Sequence, residues 1–184
     1  MHSSITVLLM AGILAIVPAS LAQSSFGPEI SAEDFQQHLW ALRSPGFASA
    51  GDTAFAGRYM EVYLQTQFER LGLDTREIDC GGKIRGLMAL LPGIGPDGRP
   101  VLYLANPEKP HEAAAILEIA ERFVTERPRP AHDVYFLFST VAAGKLTACT
   151  AFRQTARIIQ PTGMQARDAG ELVTDLIELQ RQGK

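Results

Sequence analysis

Two short stretches of this chain are continuous apolar runs, the second ending in a serine, and a helix-patterned stretch lies between them. VLYLA (Val101–Ala105) and VYFLFS (134–139) have strand length and no alternation, which suits strands buried on both faces of a parallel sheet. EAAAILEIAERFV (112–124) is rich in helix formers and sets Ala113, Ile116, Leu117, Ala120 and Phe123 on one stripe. Parallel neighbours are joined by a helical crossover, so residues 101–139 read as one β-α-β unit. In open sheets of this kind, chemistry sits at the carboxyl ends of the strands. The two places to look are therefore residues 106–111 and 140–146.

Upstream, Ser31 is a good N-cap with acidic Glu33 and Asp34 in the first turn after it. Phe35, Leu39 and Leu42 give a helical stripe that stops near Ser44-Pro45-Gly46. A longer helix is predicted over 53–71, with Gly72 as its left-handed stop. Phe55, Tyr59, Val62, Phe68 and Leu71 are expected to face the core, with Arg58, Glu61, Gln65 and Glu69 wet. Residues 73–80 alternate weakly, as an edge strand does. Gly81-Gly82 turns the chain into a strand over 83–91, so the pair reads as an antiparallel hairpin. Beyond the β-α-β unit, a short helix (143–154), a short strand (157–160) and a final helix (168–182) are expected, the last packing Leu172, Val173, Leu176, Ile177 and Leu179. The fold class is α/β, a mixed and mainly parallel sheet flanked by helices.

Composition sets the limits. A chain of 184 residues, 46% hydrophobic and 20% charged, suits a single domain with a sizeable core. A formal net charge of -3 gives no reason to expect nucleic acid or an anionic membrane as partner. The N-terminus changes the compartment. Residues 5–17 form an apolar run, followed by Pro18 and by Ser20-Leu21-Ala22, which fits signal-peptidase cleavage after Ala22. Residues 1–22 are thus read as an export signal and 23–184 as one secreted or periplasmic domain with no membrane span. No Lys or Arg precedes the run, so a buried N-terminal helix or an uncleaved anchor is the competing reading. In an oxidising compartment Cys80 and Cys149 could pair as a disulfide or stand as two unrelated buried thiols, and sequence leaves both open.

The order of elements and the residues at their joints carry a resemblance. The helix end Phe68-Glu69-Arg70-Leu71-Gly72-Leu73, the turn Leu90-Leu91-Pro92-Gly93, the segment Ala115-Ile116-Leu117-Glu118-Ile119-Ala120, the strand end Phe136-Leu137-Phe138-Ser139, and Gly144 and Phe152 are its residues. Over roughly residues 30–159 the chain resembles the secreted zinc-dependent aminopeptidases and their relatives, among them glutaminyl cyclases and the peptidase-like domain of the transferrin receptor. The resemblance implies a shortened zinc-aminopeptidase architecture and a metal site at the strand ends. Carried over position by position, that site is degenerate. Where the family has His-x-Asp, this chain has Asn106-Pro107-Glu108, and an asparagine offers no imidazole nitrogen. The family's Asp-Asn-x-x-Gly turn is shortened to residues 108–112. Its adjacent glutamates, one a general base and one a ligand, are replaced by Val141-Ala142, and hydrocarbon cannot deprotonate a metal-bound water. A later ligand Asp would fall near Pro161-Thr162, and the sequence stops at Lys184 before the family's last His.

Residual candidates are few. Glu108, His111 and Glu112 cluster at the strand end, but His111-Glu112 lacks a second His four residues on. Glu112 is better explained by the helix dipole and His111 as a solvated N-terminal residue. His38 and His132 are expected at the surface. Ser139 has no Gly-x-Ser-x-Gly elbow and is expected to cap the next turn. The sequence therefore reads as an exported, non-catalytic, peptidase-like domain that binds a protein or peptide, or itself through an open sheet edge, with no cofactor. Two alternatives stand: a zinc-dependent aminopeptidase with an atypical or split site, and a decayed fragment without a role.

Overall fold

The computed structural model describes residues 29–44, 53–79, 85–95, 98–146, 152, 157–162 and 169–184, with the side chains of the second helix described from Met60 onward. The expected signal segment, Cys80, Cys149, Phe55, Arg58 and Tyr59 lie outside what is described. The elements run α1 (Ala32–Leu42), α2 (Thr53–Arg70), β1 (Asp74–Asp79), β2 (Arg85–Leu91), β3 (Val101–Ala105), α3 (Pro110–Thr125), β4 (Val134–Phe138), α4 (Ala143–Leu146), β5 (Arg157–Ile159) and α5 (Ala169–Gln182).

The two all-apolar runs are β3 and β4, and they pair in parallel at the middle of a five-stranded sheet ordered β1-β2-β4-β3-β5. β5 joins β3 in parallel, while β2 runs antiparallel to both β1 and β4. Four strands thus point one way and β2 opposes them. Gly86 in β2 is set against Phe138 O, where a β-carbon would collide. β1 is the charged edge, with Asp74, Arg76, Glu77 and Asp79 exposed, a pattern that discourages edge-to-edge pairing.

Alternation along the strands sorts the core into two faces. Leu87, Ala89, Leu91, Val101, Tyr103, Ala105, Val134, Phe136, Phe138 and Ile159 point to the face covered by α1, α2, α3 and α5. Met88, Leu102, Leu104 and Leu137 point the other way, against Leu146, Phe152 and the half-buried Val141. α3 lies on the first face and is buried at every position from Glu112 to Glu121, because α1 covers the side that the sheet does not. α5 is tied down by Tyr103, whose hydroxyl donates to Leu179 O (2.8 Å) and Gln180 O (3.1 Å).

Local signals hold in most places. Ser31 Oγ accepts from the backbone N–H groups of Glu33 and Asp34, and Gly72 takes a φ of +72° to end α2. Val62 departs from expectation. It is exposed, since the buried stripe of α2 runs through Leu64 and Phe68, and two residues of helix turn Val62 about 200° from Leu64. His132 is not a free surface residue either: it is half-buried, and Nε2 bonds Gly183 O at 2.9 Å. That bond helps hold the chain end beneath the β3–β4 layer.

Candidate functional site

The strand ends predicted to carry chemistry are built from turns and caps. Asn106 follows β3, and its Oδ1 accepts from Glu108 N at 2.9 Å, an Asx turn that hands the chain to α3. Lys109 is the N-cap position but supplies no side-chain cap, and Pro110 follows it at the first turn. Glu112 fills that gap. Its Oε2 accepts from Asn106 N (3.1 Å) and its Oε1 from Lys109 Nζ (2.8 Å). Glu108 is exposed, so it projects away from this network. His111 is half-buried, not fully solvated: Arg43 Nη2 lies 2.8 Å from its Nε2. Burial first, and then the neighbouring guanidinium, push its pKa down, which favours the neutral ring that accepts from arginine.

Beyond β4, Ser139 Oγ donates to Arg85 O (2.8 Å) and accepts from Val141 N (3.3 Å), so the hydroxyl caps the turn as its residue type predicts. Val141 packs on the second core cluster and Ala142 is exposed. Asn106, Glu108, His111 and Glu112 therefore share one strand end, and Val141 and Ala142 border it. The donor set does not fit zinc: Asn106 and Glu112 are committed to backbone and lysine donors, and His111 faces a permanent cation.

A second polar cluster lies inside the helical layer. His38 is buried, with 7% of its surface exposed, and its Nε2 bonds Glu121 Oε1 at 3.0 Å. Its Nδ1 lies 3.0 Å from the hydroxyl of Tyr63 on α2. Glu118, three residues before Glu121 on α3, is 1% exposed, and its Oε1 accepts from Ser31 N at 2.5 Å. Its other oxygen, Oε2, is buried, with no hydrogen-bond partner among the described residues. Burial above all pushes the Glu118 carboxyl up to about 8; Glu121 and Asp34 add to the rise and the Ser31 N–H opposes it. Tyr63 is pushed up to about 12 by burial and by Glu121. Ligand-capable atoms of His38, Glu118 and Glu121 all lie within 4.8 Å of one another.

The expectation that His38 sits at the surface is thus corrected. The sequence holds the signal: 35, 38, 39 and 42 follow the i, i+3, i+4, i+7 spacing of a buried stripe, so His38 shares the face of Phe35, Leu39 and Leu42. Glu118 and Glu121 were signalled by their place in a helix whose apolar positions exceed one stripe, which requires a second covering element.

No protein-family model matches the chain, and no curated protein matches it. Among solved structures the chain is similar to the Legionella pneumophila LapA aminopeptidase (18% identity, TM-score 0.45), with 59% of this chain and 34% of that one covered. It is also similar to a Zn-dependent exopeptidase from Parabacteroides distasonis (14%, TM-score 0.45), covering 60% of this chain and 47% of that one. A third likeness is to Macrostomum lignano glutaminyl cyclase (16%, TM-score 0.43), covering 71% of this chain and 44% of that one. The chain spans less than half the length of each of these structures. Among the described residues no helix is long and apolar enough to cross a membrane.

Proposed function

We propose that this chain is an exported, non-catalytic, peptidase-like domain that acts by binding a protein or peptide. One observation carries the reading: the polar groups at the strand ends are occupied in holding turns. Glu112 has a donor on each oxygen, Ser139 is bonded as donor and acceptor, and Val141 packs into the core. Glu108 is exposed and stands apart, so among the described residues no group of metal-ligating side chains gathers there to activate water. A binding role is supported by the exposed Trp40, 77% accessible, in a shallow recess shared with Gln36, Leu39, Arg43 and Ser44. An aromatic beside an arginine suits recognition better than hydrolysis. Export rests on the apolar run over 5–17 and the small residues Ser20 and Ala22. β5, the last described strand on its side of the sheet, is the edge at which a second copy could add.

The test is turnover. The full chain is assayed against aminoacyl-anilide substrates, with and without added zinc and with a chelator control. The expected result is no hydrolysis above background in any condition. Zinc-dependent turnover that the chelator abolishes would replace this reading with that of an active aminopeptidase using an atypical site.

A further inference from the structure

We propose that His38, Glu118 and Glu121 form a binding site for one divalent zinc-class cation, clamped between α1 and α3 away from the strand ends. The residue types are right for it: one imidazole and two carboxylates make an N/O ligand set of the sort zinc accepts. Sites of this design occur in helix bundles, where an i, i+3 pair on one helix faces a ligand from another. Here the i, i+3 pair is Glu118 and Glu121 on α3, and α1 supplies His38.

The spacing is close to what a metal needs. Tetrahedral zinc with bonds of about 2.0–2.1 Å sets its ligand atoms about 3.3 Å apart. His38 Nε2 and Glu121 Oε1 are 3.0 Å apart, so they need to open by only a few tenths of an ångström. The third ligand atom, within 4.8 Å of the others, closes inward by a rotamer adjustment of Glu118. The Tyr63 hydroxyl on Nδ1 orients the ring and leaves Nε2 toward the carboxylates, as the partners behind metal-bound histidines do.

A separate observation points to a missing cation. Glu118 Oε2 is fully buried, and among the described residues no donor reaches it. A buried acceptor left unpaired is costly, and an ionised one much more so. The His38–Glu121 hydrogen bond leaves that oxygen unsatisfied, whereas a dication satisfies it and balances both carboxylates. Three protein ligands leave the fourth tetrahedral position to water or another donor, and burial of all three sets the site inside the helical layer. It lies six residues along α3 from Glu112, roughly 9 Å by helix rise, so its occupancy is independent of chemistry at the strand ends.

The experiment uses the chelator-treated full chain, titrated with zinc by calorimetry and with cobalt by absorption. One equivalent should bind and raise the Tm, and the cobalt spectrum should lack a thiolate charge-transfer band, which excludes Cys80 and Cys149 as ligands. Glu118→Gln keeps the acceptor for Ser31 N and should weaken zinc at least ~10-fold; His38→Gln should do the same, while His111→Ala should leave binding intact. Circular dichroism checks that each variant is folded. Absence of zinc binding, a thiolate band, or undiminished affinity in folded Glu118→Gln overturns the proposal. Zinc binding without turnover supports this site and leaves the non-catalytic reading standing; turnover overturns only the latter.

Discussion

Glu112 and Glu118 sit on the same helix, both buried, and meet opposite surroundings. Glu112 is in the first turn, where the helix offers positive dipole, Asn106 N donates to one oxygen, and Lys109 reaches the other from solvent. Glu118 is in the middle, where every backbone N–H is already spent on the helix, and only Ser31 N arrives from α1. One location supplies donors as a consequence of being an end; the other does not. The histidines follow suit. His111 meets Arg43 and is held neutral, whereas His38 meets Glu121 and Tyr63 in the interior. Asn106, Glu112 and Ser139 at the strand ends are thus explained by the turns they close, and the polar residues between α1 and α3 are not explained by structure alone.

The largest expected difference comes from deleting one partner in each cluster. His38→Ala strands Glu121 beside Glu118 in the interior and should cost about 3–5 kcal/mol, the usual penalty for breaking a buried pair. Lys109→Ala removes the partner of Glu112 from a side chain that is 60% exposed, and should cost less than about 1 kcal/mol. Denaturant unfolding at neutral pH measures both. Equal losses would mean that the α1–α3 cluster is no more demanding than a surface pair.

A smaller effect sharpens the contrast through pH. In the metal-free protein the Glu118 carboxyl titrates at about 8 when folded, against an ordinary 4.5. Between those values the folded chain holds a proton that the unfolded chain releases. Stability is therefore greatest below about pH 4.5 and is lost as pH rises through about 8. The full span is at most about 5 kcal/mol, of which only roughly 1 kcal/mol falls between neutral pH and about 8. Glu118→Gln should flatten that part of the profile, leaving the variant more stable than the wild type at alkaline pH. An unchanged slope would show that Glu118 is not desolvated as the packing implies.

Most of the fold was legible because burial of the sheet core leaves a signature in sequence. β3 and β4 are apolar at every position since both of their faces are covered, and Gly72 marks the end of α2 because the left-handed turn there favours glycine. The hairpin of β1 and β2 and the Ser31 cap were equally local. His38 was misread because residue type was weighed above position: it lies on the stripe of Phe35, Leu39 and Leu42 and is buried whatever its polarity. Val62 was misread in the opposite sense, an apolar type at a wet position. The convergence of Glu118 with His38 was illegible, because 80 residues separate α1 from that part of α3 and only the tertiary packing of one helix on the other brings them together.

The smallest effect tests the strand-end half of the comparison. The folded pKa of His111 lies below its ordinary 6.5, so the unfolded chain binds the proton more readily as pH falls. The stabilisation is complete above the ordinary value and is lost as pH falls through the folded one, a sign opposite to that of Glu118. Because the ring is only half-buried, solvent screening keeps this effect below the other two. Imidazole titration by NMR measures it directly. Arg43→Gln removes the facing charge and should move the His111 pKa part of the way back up, with the remaining depression due to burial. If that variant leaves the titration where it was, Arg43 is a crossing side chain without electrical influence, and the strand end loses the cation that makes His111 unsuited to holding a metal.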